Sequence, residues 1–115
     1  MKSKYRNVKT SRIINGEVVT FDSKKEAKRY DYLYNLLYIG SISGLTLQPK
    51  FKLLDTLKVE GHGTMRVKHY IADFKYVKDG ITIIEDVKGM KTPMYNMKKH
   101  MFLSMYGKEI TFLEV

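Results

Sequence analysis

The stretch "YIADFKYVKDGITIIEDVKG", residues 70–89, decides the fold because two β-rich runs flank a central Asp-Gly pair. The stretch reads as a single β-hairpin, and Asp79-Gly80 between such runs can form its two-residue turn. Both runs carry apolar residues on both faces, which is typical of strands that other elements cover. We therefore expect helices to cover this hairpin.

The predicted hairpin places acids side by side. Counting back from a two-residue turn brings Asp73 opposite Asp86, and opposed residues have Cβ atoms about 4.5 to 5.5 Å apart. Strand alternation puts Lys88 on the face of Asp86 and Glu85 on the other face. A turn one residue longer would shift the register and make Glu85 the acid to consider.

Two opposed carboxylates repel each other unless a cation lies between them. Hard oxygen ligands suit Mg²⁺ or Mn²⁺, which proteins hold with one or two carboxylates together with water and phosphate oxygens. Lys88 could then orient the attacking water or neutralise developing charge. The cluster predicts a metal-dependent phosphodiesterase, while the plain alternative is two solvated acids of which one pairs with Lys88.

A second candidate acid lies in "DSKKEAKRYDYLYNLLYIG", residues 22–40, which predicts a helix from about 23 to 39. Glu26 has two interpretations there. It can complete a capping box with Ser23, by bonding back to the backbone at the helix start. It also heads the apolar stripe of the helix, where a carboxylate is costly unless a cation or hydrogen bonds satisfy it.

The rest of the chain predicts an α/β (α+β) fold with a mixed sheet between two helices. We expect a hairpin at Asn15-Gly16, a strand near 46–54, a hairpin loop near 60–64, a helix from Pro93 to Gly107 and a closing strand in "EITFLEV". The helical spacing of Met94, Met97, Met101 and Met105 favours a core role for these residues. Residues 1–10 predict a flexible basic arm and residues 11–115 a single domain.

Charge and composition limit the partners. The net charge of +9 attracts polyanions such as nucleic acid or an anionic membrane, and composition does not separate the two. The chain has no Cys, which excludes thiolate zinc sites and fits a reducing cytoplasm. It contains neither an 18-residue apolar run nor a signal-peptide pattern, so we expect a cytoplasmic protein.

The order of these signals is familiar: a helix glutamate, an acid on one strand, then acid-x-Lys on the next. It resembles the PD-(D/E)XK nuclease superfamily over roughly residues 4–115. More closely, "FDSKKEAKRYDYL", "LQPKF", "YIADF" and "EDVKG" resemble small phage-encoded proteins of that superfamily, related in pattern to Holliday-junction resolvases. The chain departs from the motif in having Ala72 before Asp73, and in having Asp86 where Glu is more frequent.

The resemblance implies a restriction-endonuclease-like core and a role for each site residue. Asp73 would be the bridging metal ligand, Asp86 the second acid and Lys88 the motif lysine. The Val87 carbonyl would be a further ligand, and Glu26 would bind Mg²⁺ or Mn²⁺ directly or through water. The implied activity is that of a DNA endonuclease, with branched or junction DNA as a possible substrate and DNA recombination as its setting.

DNA contacts are expected from basic residues beside this site. Lys98 and Lys99 on the last helix are candidates, although a solvated helix face explains them equally well, and Lys4 and Arg6 lie in the basic arm. A chain of this size engages both strands symmetrically only as a homodimer, which we therefore expect. Two alternatives are a non-catalytic DNA- or junction-binding protein and a protein that binds a host protein through its basic face.

Overall fold

The structure, a computed structural model, describes residues 9–88 and 91–115. Lys4, Arg6 and most of the predicted arm lie outside the described residues. The chain divides into two compact units, of which the first runs to Ile42 and the second spans Ser43–Val115. The single domain over residues 11–115 stays a prediction, and each unit is described by itself.

The N-terminal unit consists of a β-hairpin followed by one helix. Strands β1 (Thr10–Ile14) and β2 (Glu17–Phe21) pair antiparallel, and helix α1 spans Lys24–Tyr38. The turn residues Asn15 and Gly16 have φ of 52° and 81°, as a type I′ turn requires. This confirms the hairpin predicted from the Asn-Gly pair.

The described residues of the second unit, 43–88 and 91–115, form eight strands and the other helix. The elements are β3 (Ser43–Leu47), β4 (Lys50–Leu54), β5 (Leu57–Val59), β6 (Gly63–Met65), β7 (Lys68–Ile71), β8 (Phe74–Lys78), β9 (Ile81–Asp86), α2 (Pro93–Tyr106) and β10 (Thr111–Glu114). The largest sheet has the order β10-β9-β8-β3, in which β10 is parallel to β9 and the other pairs are antiparallel. The predicted α+β class with a mixed sheet is confirmed. Across the described ranges, neither helix is long and apolar enough to cross a membrane.

The single strand predicted near 46–54 is wrong, because the chain breaks between β3 and β4. Gln48 has a φ of 50°, in the left-handed region, and Pro49 has no N–H to donate to a ladder. Backbone bonds continue across the break, from Gln48 N to Asp73 O at 2.9 Å and from Ala72 N to Pro49 O at 3.1 Å. The two antiparallel ladders on either side thus form one bent ribbon.

Helix α2 covers one face of this unit with aromatic side chains. Thr92 caps it by accepting the Tyr95 N–H at 3.1 Å. Tyr95 and Phe102 are its buried residues, packed with Leu53, Tyr70, Ala72 and Ile84. The core role predicted for the methionines is wrong for three of the four, because these larger rings occupy the buried face. Met94, Met97 and Met105 are more than half exposed.

Candidate active site

The central hairpin has the predicted turn and register. Asp79 and Gly80 have φ of 51° and 76°, and Lys78 pairs with Ile81 directly beside them. The ladder keeps this register as far as the pair of Phe74 with Glu85. The Asp-Gly pair was therefore sufficient to define how β8 and β9 align.

Asp73 lies just outside this ladder and is fixed by its own contacts. Its N–H donates to the Glu85 carbonyl at 3.0 Å, one residue out of step with the register, and its carbonyl accepts the Gln48 N–H at 2.9 Å. Its Oδ2 accepts the Val87 N–H at 2.6 Å. The expected pairing of Asp73 with Asp86 is therefore not part of the ladder. A local irregularity of this kind redirects a side chain, here toward the end of β9.

Asp86 is the last residue of β9 and is fully buried. Its Oδ1 lies 2.8 Å from Lys88 Nζ, and its Oδ2 accepts a hydrogen bond from the Tyr70 hydroxyl. The contact with Lys88 agrees with the face that strand alternation predicts for both residues. Within the described part of the chain, Oδ1 has this ion pair but no aligned hydrogen bond. Oδ2 of Asp86 thus accepts a hydrogen bond, whereas Oδ1 has the ion pair with Lys88.

Two tyrosines near Asp86 stay protonated and act as donors. Burial, followed by the hydrogen bond to Asp86, raises the pKa of Tyr70 far above its ordinary value. Burial, followed by a hydrogen bond to Glu114, raises the pKa of Tyr95 in the same direction. Because a buried carboxyl group is costly without partners, the hydrogen bond from the Tyr70 hydroxyl offsets part of the cost of burying Asp86.

Lys88 contacts Tyr95 on α2, which in turn is bonded to Glu114 on β10. Its Nζ lies 4.7 Å from the centre of the Tyr95 ring, within cation–π range. The Tyr95 hydroxyl donates to Glu114 at 2.9 Å, and Lys99 Nζ donates to the other oxygen of Glu114, also at 2.9 Å. Glu114 is the β10 neighbour of Asp86 in the parallel ladder. A polar network therefore connects the Asp86–Lys88 pair to the edge of the sheet.

Glu85, the alternative acid, is buried on the opposite face of β9. It shares the face of Phe74, its partner across the ladder, and accepts a hydrogen bond from the Tyr76 hydroxyl. Neither Glu85 nor Asp86 is exposed to solvent. The strand therefore buries one carboxylate on each face, each with a tyrosine donor.

The remaining predicted residues have different surroundings. Lys99 is bonded to Glu114, whereas Lys98, one residue earlier, is half-buried on α2. Glu26 is 6% exposed and lies on the buried stripe of α1, as predicted, and the Ser23 hydroxyl accepts its N–H at 3.1 Å. That bond is one half of the predicted capping box. The role of Glu26 as a ligand stays a prediction.

Asp73 and Asp86, at the end of β9, carry the type of oxygen donor that a hard divalent cation prefers. Asp73 and Asp86 supply carboxylate oxygens, and Mg²⁺ is typically held by one or two such groups with water completing its shell. The Val87 N–H is directed at Asp73, and the role of the Val87 carbonyl as a ligand stays a prediction. Among the described residues no group of three or more His, Asp or Glu side chains is arranged to hold a metal. The chemical fit therefore rests on the two carboxylates of Asp73 and Asp86.

Residues 2–113 match a family described as "Protein of unknown function (DUF1064)". The chain belongs to this family. A comparison with curated proteins gives no significant match. Membership of the DUF1064 family covers nearly the whole chain but assigns no activity, so the nuclease resemblance stays a hypothesis that the site residues must support.

Sequence reasoning missed the residues that surround the Asp86–Lys88 pair. Tyr70, Tyr95 and Glu114 belong to three elements, and no short-range spacing relates them to Asp86. Tyrosines on apolar stripes are usually core residues, which is how the pattern presents them. Only the parallel register of β10 would have shown that Glu114 neighbours Asp86, and a parallel pair has no turn from which to count.

Proposed function

We propose that this DUF1064 protein is a metal-dependent DNA endonuclease with a restriction-endonuclease-like core. The observation that carries the proposal is the ion pair of the buried Asp86 with Lys88, next to Asp73, at the end of the central hairpin. A buried acid and a lysine two residues apart, beside a second acid, are groups that metal-dependent phosphodiester hydrolysis can use.

Each residue has a separate task in this proposal. Asp73, Asp86 and the Val87 carbonyl would hold Mg²⁺ or Mn²⁺, with Glu26 as a further proposed ligand. When bound, the metal supplies Lewis acidity toward the phosphoryl oxygen and lowers the pKa of a coordinated water. Lys88, held over the Tyr95 ring, orients the water or neutralises charge on the phosphate.

The proposed substrate is DNA, and the +9 charge supports a polyanion as the partner. Lys4 and Arg6 are proposed backbone contacts. A homodimer would present two such sites to the two strands of a duplex or junction. Branched DNA belongs in the first assay because the sequence resembles junction resolvases.

The decisive experiment is a cleavage assay on plasmid and four-way-junction DNA, with Mg²⁺, Mn²⁺ or EDTA. We expect cleavage only with metal, and a loss of at least about a hundredfold in Asp73→Asn and in Asp86→Asn, since each removes a charged ligand. Asp79→Asn at the hairpin turn is the matched control, because Asn accepts the same left-handed backbone. Cleavage by both site variants at the wild-type rate, from preparations of equal purity, would refute the proposal.

A second candidate is a DNA- or junction-binding protein without turnover. It is favoured by one observation, that both oxygens of Asp86 already have partners in Tyr70 and Lys88. In that case DNA binding would persist in EDTA, with no cleavage under any metal. Calorimetry with Mg²⁺ separates the candidates further, because only the endonuclease requires binding that Asp73→Asn and Asp86→Asn abolish.

A further inference from the structure

A second group of charged residues lies on the ribbon of β4 and β7, away from the Asp86–Lys88 pair. Lys52 pairs directly with His69 across this ribbon, and Lys50 lies two residues from Lys52 on the same face. Both lysines are exposed. Their neighbours Phe51 and Tyr70 alternate to the other face, where they pack with Phe102. The ribbon therefore has one apolar face and one basic face.

His69 lies among these lysines and is affected by both burial and their charge. Partial burial lowers its pKa first, and repulsion by Lys50, Lys52 and Lys98 lowers it further. The three lysines come from two elements, β4 and α2. The lysines of both elements thus lie close enough to His69 to disfavour its protonated form.

We propose that Lys50, Lys52, His69 and Lys98 form a binding surface for the phosphodiester backbone of duplex DNA. We call these four residues the ribbon patch. The choice of DNA rests on the proposed function, whereas the preference for a polyanion follows from the charges alone. Backbone phosphates would be neutralised by the three lysines, and the reduced repulsion would let His69 gain a proton and add a contact.

Asp55 lies beside the ribbon patch, so its removal tests whether DNA affinity increases when Lys52 loses its acidic partner. Asp55 Oδ1 lies 2.5 Å from Lys52 Nζ, in a pair whose two side chains are both more than half exposed. An exposed pair contributes little to stability, so removing the acid changes the fold slightly while making Lys52 available to phosphate. The Asp55→Asn variant should therefore bind DNA more tightly than the wild type.

The form of the patch favours DNA over an anionic membrane. Proteins that lie on membranes usually do so through an amphipathic helix whose apolar face enters the lipid. Here the basic face belongs to a two-stranded ribbon, and the apolar face of that ribbon packs in the core. On the basic face itself Ile71, the cross-strand partner of Lys50, is an exposed apolar side chain, and one side chain is a small anchor beside the apolar face of an amphipathic helix.

The test compares two triple variants of equal net charge by fluorescence anisotropy with a labelled duplex in EDTA. One variant carries Lys50→Gln, Lys52→Gln and Lys98→Gln, and the control carries Lys58→Gln, Lys78→Gln and Lys108→Gln at exposed positions elsewhere in the second unit. Three lost phosphate contacts should reduce the slope of log K against log salt by about 2.7 in the patch variant. The control should keep the wild-type slope.

A second readout follows the proton on His69 by NMR. Adding duplex DNA should raise the pKa of His69 from its lowered value, and the patch variant should show a raised pKa even without DNA. Equal slopes for the two triple variants, or a His69 pKa that DNA leaves unchanged, would overturn the proposal. So would tighter binding of anionic vesicles than of DNA through the same lysines.

Because EDTA prevents metal-dependent cleavage, this test is independent of the active-site assignment. A protein that binds through the ribbon patch but never cleaves would retain this inference and lose the endonuclease proposal. If the protein cleaves DNA and both triple variants bind DNA equally, the endonuclease proposal is retained and the ribbon patch is refuted. Asp55→Asn against Asp79→Asn adds a matched pair in which only the first should bind more tightly.

Discussion

Replacing Lys88 should destabilise the metal-free protein, because it leaves a buried carboxylate without its counter-ion. Asp86 is 0% exposed and the Lys88 side chain 28%. Removing one partner of a fully buried pair costs about 3 to 5 kcal/mol. Since Lys88 is partly exposed, water can replace some of its interaction, and we take about half of that range, roughly 2 kcal/mol. In a domain of this length that corresponds to a decrease in Tm of about 8 °C.

The assay is thermal and urea unfolding in EDTA of the wild type, Lys88→Met and Lys88→Ala. Met retains the alkyl chain over the Tyr95 ring and removes only the charge, so Lys88→Met isolates the ion pair. Mg²⁺ should then raise the Tm of Lys88→Met more than that of the wild type. The physical reason is that a divalent cation can neutralise Asp86 in place of the missing ammonium.

Lys78→Met, at the exposed end of the same hairpin, is the control for a general effect of losing one positive charge. A Lys88→Met protein as stable as the wild type in EDTA would refute the reasoning, since Asp86 would then not depend on Lys88. An equal loss in Lys78→Met would assign the effect to net charge. Destabilisation without any response to Mg²⁺ would leave the ion pair intact as an explanation but remove Asp86 as a metal ligand.

Two further predictions concern the same network. Tyr70→Phe removes the hydrogen-bond donor to Asp86 without leaving a large cavity. In urea unfolding it should lower the free energy of unfolding by about 1.5 to 3 kcal/mol. An unchanged urea midpoint would mean that water replaces the hydroxyl. The hydrogen bond from Lys99 is the main cause that lowers the pKa of Glu114 below its ordinary value of 4.5. The stability that ionised Glu114 contributes is therefore present above pH 4.5 and is lost as the pH falls through the lowered pKa. Lys99→Gln should make the Tm fall less steeply as the pH is lowered. A Tm–pH profile identical to that of the wild type would contradict this.

The parts of the fold that sequence predicted were those set by local backbone chemistry. Both type I′ turns follow from an Asn-Gly or Asp-Gly pair, whose residues tolerate positive φ. The start of α1 follows from the Ser23 cap and the start of α2 from Pro93, whose fixed φ suits the first turn of a helix. In each case a few neighbouring residues determine the geometry, so no knowledge of the tertiary structure was needed.

The candidate site was predictable only where it depends on that local geometry. The turn at Asp79-Gly80 placed Glu85 and Asp86 on opposite faces, but the ladder ends before Asp73. What fixes Asp73 is the bend at Gln48, whose left-handed backbone no propensity would assign to a glutamine. Tertiary contacts thus determined the part of the site that counting along strands could not.

The parallel pairing of β10 with β9 has a consequence for the order in which the site is assembled. The β8–β9 hairpin can close as soon as its two-residue turn forms, whereas β10 reaches β9 only after α2 has been made and has folded back across the sheet. Until then Asp86 O and Lys88 N lack the bonds that Val115 supplies, and Tyr95 lacks its acceptor on Glu114. Recovery of the Asp86–Lys88 network during refolding should therefore follow the docking of β10 and lag behind hairpin formation.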